Sequence, residues 1–353
     1  MGYARVARDS VSDVVIALFE SVGVERPAGA VIADALARAN ARGIHSHGLS
    51  RLEIYIKRIA SGAVNPDPDV RVLREGPHFA LLDGGNGPGI PVAVRAAELA
   101  VRKAKEYGIA IVGVRRANHF GFASYYSLLG LEHDVALMVF SNTEAVMAAH
   151  GSATALLGTN PLAAGFPSNL PFPFVVDMAT SAGAYGKILG AAREGRSIPD
   201  GWAVDKRGRP TTDPNEALAG VLLPFGDGLG SAIALLVEVL CGPLVGAALS
   251  QEAGGLYSDL TSPQNLGHVF IGISPSLFVD SNEFKRRTTQ MAERIRSSSP
   301  ALGYERVYLP GELEHEAESA CNGSIPVDPA TLDMIAKLAA EFGVDLPGDL
   351  API

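Results

Sequence analysis

Nine consecutive residues, Gly43-Ile44-His45-Ser46-His47-Gly48-Leu49-Ser50-Arg51, hold two imidazoles, two hydroxyls, two glycines and a guanidinium. An imidazole gives or takes a proton near neutral pH, a guanidinium holds a carboxylate through two parallel hydrogen bonds, and glycine lets the backbone approach a ligand closely. Taken alone, the stretch suits a proton-transfer site and a helix-to-helix turn with capping His and Ser residues equally well. Two further places carry chemistry. Asn118-His119 follows a β-branched run, Ile109 to Val114, and Asp177 ends the run Phe174-Val175-Val176. An acid at a strand end can hydrogen-bond ribose or nicotinamide groups, or it can cap the helix that follows.

Other chemistries lack their parts. Gly226, Gly228 and Gly230 precede an apolar helix, but position 231 is Ser and no acid follows about 20 residues on, so the dinucleotide fingerprint is incomplete. There is no Gly-x-Ser-x-Gly elbow and no Walker loop. His45, His47 and His119 have no carboxylate positioned beside them, so hydrogen-bonded turn histidines are favoured over a metal site. Cys241 and Cys321 are too few and too far apart for a disulfide framework or a zinc ribbon. With 38 acidic against 29 basic residues and a net charge of -9, the chain offers no nucleic-acid surface. The most apolar run, Ala232 to Leu249, is interrupted by Glu238 and Gly242-Pro243 and reads as a buried helix rather than a membrane span. No signal or myristoylation pattern opens the chain, which points to the cytoplasm.

The elements that position these residues follow from periodicity. At 353 residues, 47% hydrophobic and 19% charged, the chain has length for about two domains and ample core. Ser10 and Asp13 mark a capped helix with Val14, Val15, Leu18 and Phe19 on one face. A second helix follows Pro27 and stops at Gly43, and Leu52, Tyr55, Ile56 and Ile59 continue a third until Asn65-Pro66, so the first 65 residues read as all helical. Strands are expected at 69–74, 78–82, 109–114, 135–140, 174–177 and 269–273. Helices are expected from the loop 83–89 through Lys105, up to Lys187, over 282–296 and after Pro329.

Six motifs then fall in order along nearly the whole chain: Gly-Ile-His-Ser-His-Gly-Leu-Ser-Arg (43–51), Ala-Asn-His-Phe-Gly (117–121), Ser-Asn-Thr (141–143), Gly-Thr-Asn-Pro-Leu-Ala (158–163), Val-Asp-Met-Ala-Thr-Ser (176–181) and Leu-Pro-Gly-Glu (309–312). Together they resemble the malate/L-lactate dehydrogenase family of the non-Rossmann type, which includes sulfolactate, ureidoglycolate, diketogulonate and cyclic imino-acid oxidoreductases. The resemblance implies an α+β fold, with a helical domain formed by residues 1–68 and 299–353 and a mixed-sheet cofactor-binding region at 69–298. It implies a homodimer that moves a hydride between NAD or NADP and a small 2-hydroxy or 2-keto carboxylate. His47 matches the proton donor and His119 the second active-site histidine. Arg51, Asn118 and Thr159 match substrate positions, and Ser141, Asp177, Met178, Ala179, Pro310, Gly311 and Glu312 match cofactor positions. No metal is implied.

That chemistry suits the residues themselves. Reducing a 2-keto acid needs a hydride, a proton for the developing alkoxide and a cation for the carboxylate. Two departures stand out. Leu229 occupies the place of a usual Lys beside an added acid, Asp227, which disfavours a 2′-phosphate and so favours NAD. Tyr185 stands where an Arg is common. A cofactor-free binding protein on the same scaffold is the reading of another class, and a cyclic imino-acid reductase the one within the family.

Overall fold

The computed structural model describes residues 2–350. It opens with β1 (Ala4–Ala7) and α1 (Arg8–Ser21), whose Val11, Val14, Val15, Leu18 and Phe19 form a buried stripe of helical spacing. The first 65 residues are therefore not all helical. A four-residue strand with only Val6 buried has no local signature, because its antiparallel partner β13 (Ser324–Val327) lies at the other end of the chain. The expected cap is also displaced: Ala7 precedes the helix with no side-chain cap, and Ser10 and Asp13 lie inside it. In α2 (Arg26–Ala41), Pro27 sits in the first turn, where its missing N–H costs nothing. Gly43 follows at φ +75°, and two 3-10 turns lead into α3 (Leu52–Ala60).

The main sheet gathers β2 (Arg71–Gly76), β3 (Phe79–Asp83), β4 (Ile109–Ala117), β5 (Ala136–Ser141), β8 (Leu162–Phe166), β9 (Phe174–Met178) and β12 (Leu266–Ile273) in the order β2-β3-β4-β12-β5-β8-β9. Only β3 and β4 run parallel, joined by the crossover that parallel strands require, α4 (Gly89–Tyr107). Every other pairing in it is antiparallel, so this is not a doubly wound sheet. Between β4 and β5 lies α5 (Ser124–Leu131). The core under α1 to α5 and one sheet face is continuous and includes Leu332, Ile335 and Leu338 of α11 (Pro329–Phe342). Arg38 of α2 and Arg42 just after it bind Glu318 of α10 (Glu312–Ser319), tying the C-terminal segment back to the N-terminal helices.

Buried side chains split the 69–298 region in two. A four-stranded sheet of β6 (Met147–Ala148), β7 (Ala155–Leu157), β10 (Ala203–Val204) and β11 (Val221–Leu222), with α6 (Tyr185–Glu194) and α7 (Pro214–Ala219), closes on its own core of Met147, Leu157, Ile188, Ala203 and Leu222. The apolar run becomes α8 (Gly228–Cys241), which is buried on one side only. Leu235, Leu236 and Val239 are each about half exposed, at 49, 53 and 57%. Its acid is accounted for: Glu238 is buried and accepts hydrogen bonds from Asn160 Nδ2 and from the N–H and Oγ of Ser250. The charged α9 (Ser281–Arg296) is capped by Asp280. Among the described residues no helix is long and apolar enough to cross a membrane.

Candidate active site

The 43–51 turn is held from beneath by Asn40. Its Oδ1 accepts the Leu49 N–H at 2.8 Å, and its Nδ2 donates to Pro326 O at 2.8 Å. A Cβ at Gly48 would lie 1.9 Å from that Oδ1, so the close approach requires glycine. Arg51 Nε donates to Ser46 O at 2.7 Å and Ser50 Oγ to His45 O at 2.7 Å. These bonds present His47 and Arg51 to one cleft, while His45 stacks on Tyr3 with centroids 4.4 Å apart, outside the cleft lining.

His119 arrives from the far end of β4 and stacks on His47, centroid to centroid 5.7 Å. Its Nδ1 meets Tyr55 Oη at 2.6 Å and accepts the Gly121 N–H at 3.3 Å. An Nδ1 that accepts leaves the neutral ring's proton on Nε2. His119 N donates to Gln264 Oε1 at 2.9 Å, fixing the backbone beneath the ring. His47 Nδ1 lies 3.0 Å from Ser46 Oγ. Burial first, and Arg51 second, lower His47 to about 3. Burial, then Arg51, then His47, lower His119 well below the imidazole range. Both rings are therefore neutral in the ligand-free protein at neutral pH.

Arg51 is 7% exposed and has no acid partner among the described residues. Its Nη1 donates to Tyr257 Oη, and the guanidinium lies 5.3 Å from that ring's centroid. Tyr257 is delivered by a loop that the fully buried Arg58 pins through the carbonyls of Gly255, Asp259 and Ser262.

The opposite side of the cleft, about 700 Å³ in all, includes Ser141, Thr159, Asp177, Met178, Ala179, Pro310 and Gly311. Thr159 Oγ1 has no protein partner among the described residues, whereas Ser141 Oγ is engaged with Asn142 O and His268 Nδ1. Asp177 caps a helix, but not the following one: its Oδ2 accepts the N–H and Oγ of Ser124 at the start of α5. Desolvation raises its carboxyl above the usual range against those bonds. Gly311 has φ +89°, and a Cβ there would lie 2.3 Å from Pro173 O. Two expected residues lie outside the cleft. Asn118 Nδ2 donates to Asn86 O, Asn86 Oδ1 and Gly87 O, bracing the glycine loop before α4. Glu312 is 2% exposed and clamps its turn through Arg296, Arg306 and the Leu309 N–H. No cluster of metal-ligating side chains occurs among the described residues.

Comparison with known proteins matches residues 6–336 to the family model described as malate/L-lactate dehydrogenase. The chain belongs to that family. It is 38% identical to the L-sulfolactate dehydrogenase of Methanocaldococcus jannaschii, over 94% of this chain and 96% of that one. The solved structure of the M. jannaschii enzyme superposes with a TM-score of 0.90 over 97 and 98% of the two chains. It is 34% identical to the NAD(+) ureidoglycolate dehydrogenase of Escherichia coli K12, over 87 and 88%, and 34% identical to the NADP(+) (2R)-3-sulfolactate dehydrogenase of Chromohalobacter salexigens, over 92 and 95%. Membership makes the chain an NAD(P)-dependent oxidoreductase of small 2-hydroxy acids.

The cleft fits a nicotinamide cofactor. β9 is the sheet's last strand; its Val175 N–H donates to Pro310 O, and the rest of its outer edge has no strand partner among the described residues and carries donors and acceptors of the kind a carboxamide needs. Leu229, in the first turn of α8, is 71% exposed and outside the cleft lining, and Asp227, which precedes the helix, is held at φ +55°. Tyr185 lines the cleft. Sequence reasoning missed the functional placement of Tyr55, Gln264 and Tyr257. Tyr55 had a signal, four residues beyond Arg51; the other two reach the site through a loop 200 residues away.

Proposed function

We propose that this enzyme interconverts a 2-keto acid and its 2-hydroxy acid with His47 as acid and base and His119 as a fixed donor. The nicotinamide supplies or takes the hydride when bound. Arg51 holds the substrate carboxylate. Because the lone pair of His119 is taken up at Nδ1 by Tyr55 and Gly121, only its Nε2–H is left for the substrate oxygen, where charge grows in the transition state. His47 has no such lock. When a carboxylate neutralises Arg51, the second cause of its lowered basicity falls away, which moves the imidazole back toward the range in which it passes a proton to the alkoxide, although burial, the larger cause, still lowers it. In oxidation the same ring removes it. The observation that carries this reading is the pair of neutral stacked histidines beside an arginine with no acid partner, in one cleft.

NAD is favoured over NADP, since Leu229 and Asp227 replace a cation with an anion near the loop that resembles the family's cofactor contact. The half-exposed Leu235, Leu236 and Val239 support a homodimer in which a second copy of the chain covers this face, and the compartment proposed for it is the cytoplasm. The test is a panel of 2-keto acids with NADH and NADPH, followed at the nicotinamide absorbance. Turnover of a 2-keto acid that is lost in His47→Ala supports the reading. Tight cofactor binding with no turnover of any acid defeats it, and turnover of a cyclic imino acid alone transfers the site to imine reduction.

A further inference from the structure

Two buried arginines line the cleft: Arg42 is paired with Glu318, and Arg51 has no acid partner among the described residues. Glu144, Tyr185 and Tyr257 line the same cleft and make one wall of it beside Arg51. They are neighbours. Tyr257 bonds Arg51 directly, Glu144 Oε1 accepts the N–H of Leu256 next to Tyr257, and burial first, then Glu144 and Tyr257, raise the Tyr185 phenol above its ordinary range. Tyr185 belongs here by backbone contact as well, since a Cβ at Gly186 would stand 3.0 Å from Ser46 Cβ, one residue from His47. The Tyr185 side chain is half-buried and packs against the core of the smaller sheet.

Charge at this wall opposes a second anion. Glu144 forms no ion pair among the described residues. Of the other cleft cations, Arg42 is committed to Glu318, and Lys187 is exposed in the first turn of α6, where water screens it. Among the lining residues Lys187 at most cancels Glu144; Arg58, behind Tyr257, is turned to the carbonyls of Gly255, Asp259 and Ser262 outside the lining, so Arg51 is the cation left facing the substrate. Two aromatic faces and a carboxylate instead suit a flat, uncharged group, with ring stacking on the tyrosines and any hydrogen-bond donor directed to Glu144. Resting on the dehydrogenase reading above, we infer that Glu144, Tyr185 and Tyr257 select 2-keto acids with one carboxylate and a flat, uncharged distal group over dicarboxylic and sulfo-carboxylic ones.

The experiment compares kcat/KM for phenylpyruvate, pyruvate, oxaloacetate and sulfopyruvate with the preferred nicotinamide. Phenylpyruvate is expected to exceed oxaloacetate and sulfopyruvate by about tenfold or more, the size of discrimination that pocket shape and unpaired charge supply. If oxaloacetate or sulfopyruvate equals or beats it, the inference falls while the dehydrogenase reading stands. Turnover of none of the four removes both. In Tyr185→Arg and in Glu144→Gln the phenylpyruvate to oxaloacetate ratio should fall about tenfold, with cofactor Kd and melting temperature as controls. A ratio unchanged in both folded variants shows that this wall does not set the preference.

Discussion

The two sides of the cleft are built on different principles. On the proton-transfer side, polar groups are held by other polar groups in the interior: Asn40 under the turn, Tyr55 and Gln264 behind His119, Arg58 behind Tyr257. On the cofactor side, residues sit at a sheet edge and in a glycine turn, with Leu229 exposed beyond the cleft lining. A buried network fixes positions to fractions of an ångström but tolerates little change, because each lost partner leaves a desolvated group unpaired. An edge accepts substitution cheaply. Of the two departures from the family pattern, Leu229 lies exposed outside the cleft lining and Tyr185 lines the substrate wall.

If this contrast is right, the largest effect belongs to the ring that handles the proton. His47→Ala should lower kcat by about a thousandfold, within the usual range for an acid-base group, with a near-native melting temperature because the ring lines a cleft. His45→Ala should cost far less, since that ring stacks on Tyr3 outside the cleft. Steady-state rates of the matched pair decide it. Equal losses would mean that the turn acts as one unit and the roles are divided wrongly.

Next in size is the acid response of the interior side. His268 is fully buried, stacked on Phe120 at 4.5 Å, and desolvation lowers it to about 4. Unfolding returns it to the ordinary value near 6.5, so between those values the unfolded chain binds a proton that the native one refuses. Stability therefore falls as pH drops through this window, by about 3 kcal/mol from His268 alone at pH 4. His47 and His119 are shifted the same way and add to the loss. Urea midpoints from pH 7 to 4.5 measure it, and a flat profile would show that these rings are not buried neutral.

Tyr55→Phe tests the bracing itself. Removing the hydroxyl leaves His119 Nδ1 with only the longer Gly121 bond, so the ring can change tautomer. A kcat about fivefold to tenfold lower, with cofactor Kd unchanged, is the expected cost of one buried hydrogen bond. A change in Kd with kcat intact would place Tyr55 on the other side of the comparison.

The same contrast explains what could be read from the chain. Residues whose role depends on local spacing were legible: the 43–51 turn, the strand ends at His119 and Asp177, and the glycine at 311 all line the cleft. Asn118 and Glu312 share those motifs but point into loop and turn networks, and a motif does not encode which way a side chain turns. β1, Gln264 and Tyr257 depend on partners hundreds of residues away or on a loop fixed by Arg58, so no periodicity announces them. The half-exposed face of α8 misled because an apolar helix reads the same whether its own chain or another covers it.

The smallest effect is expected at Leu229. The side chain is 71% exposed, so replacing it perturbs no packing, and Leu229→Lys should leave the melting temperature within about a degree. The added ammonium would offset Asp227 at the start of α8 and attract a phosphate through solvent, where an exposed charge contributes about 1 kcal/mol or less. Cofactor Kd should tighten about threefold at low salt, with the gain shrinking as ionic strength rises. Calorimetry at two salt concentrations separates the outcomes. A gain of a hundredfold would mean that the loop closes over the cofactor and that the edge side of the cleft is as tightly organised as the histidine side.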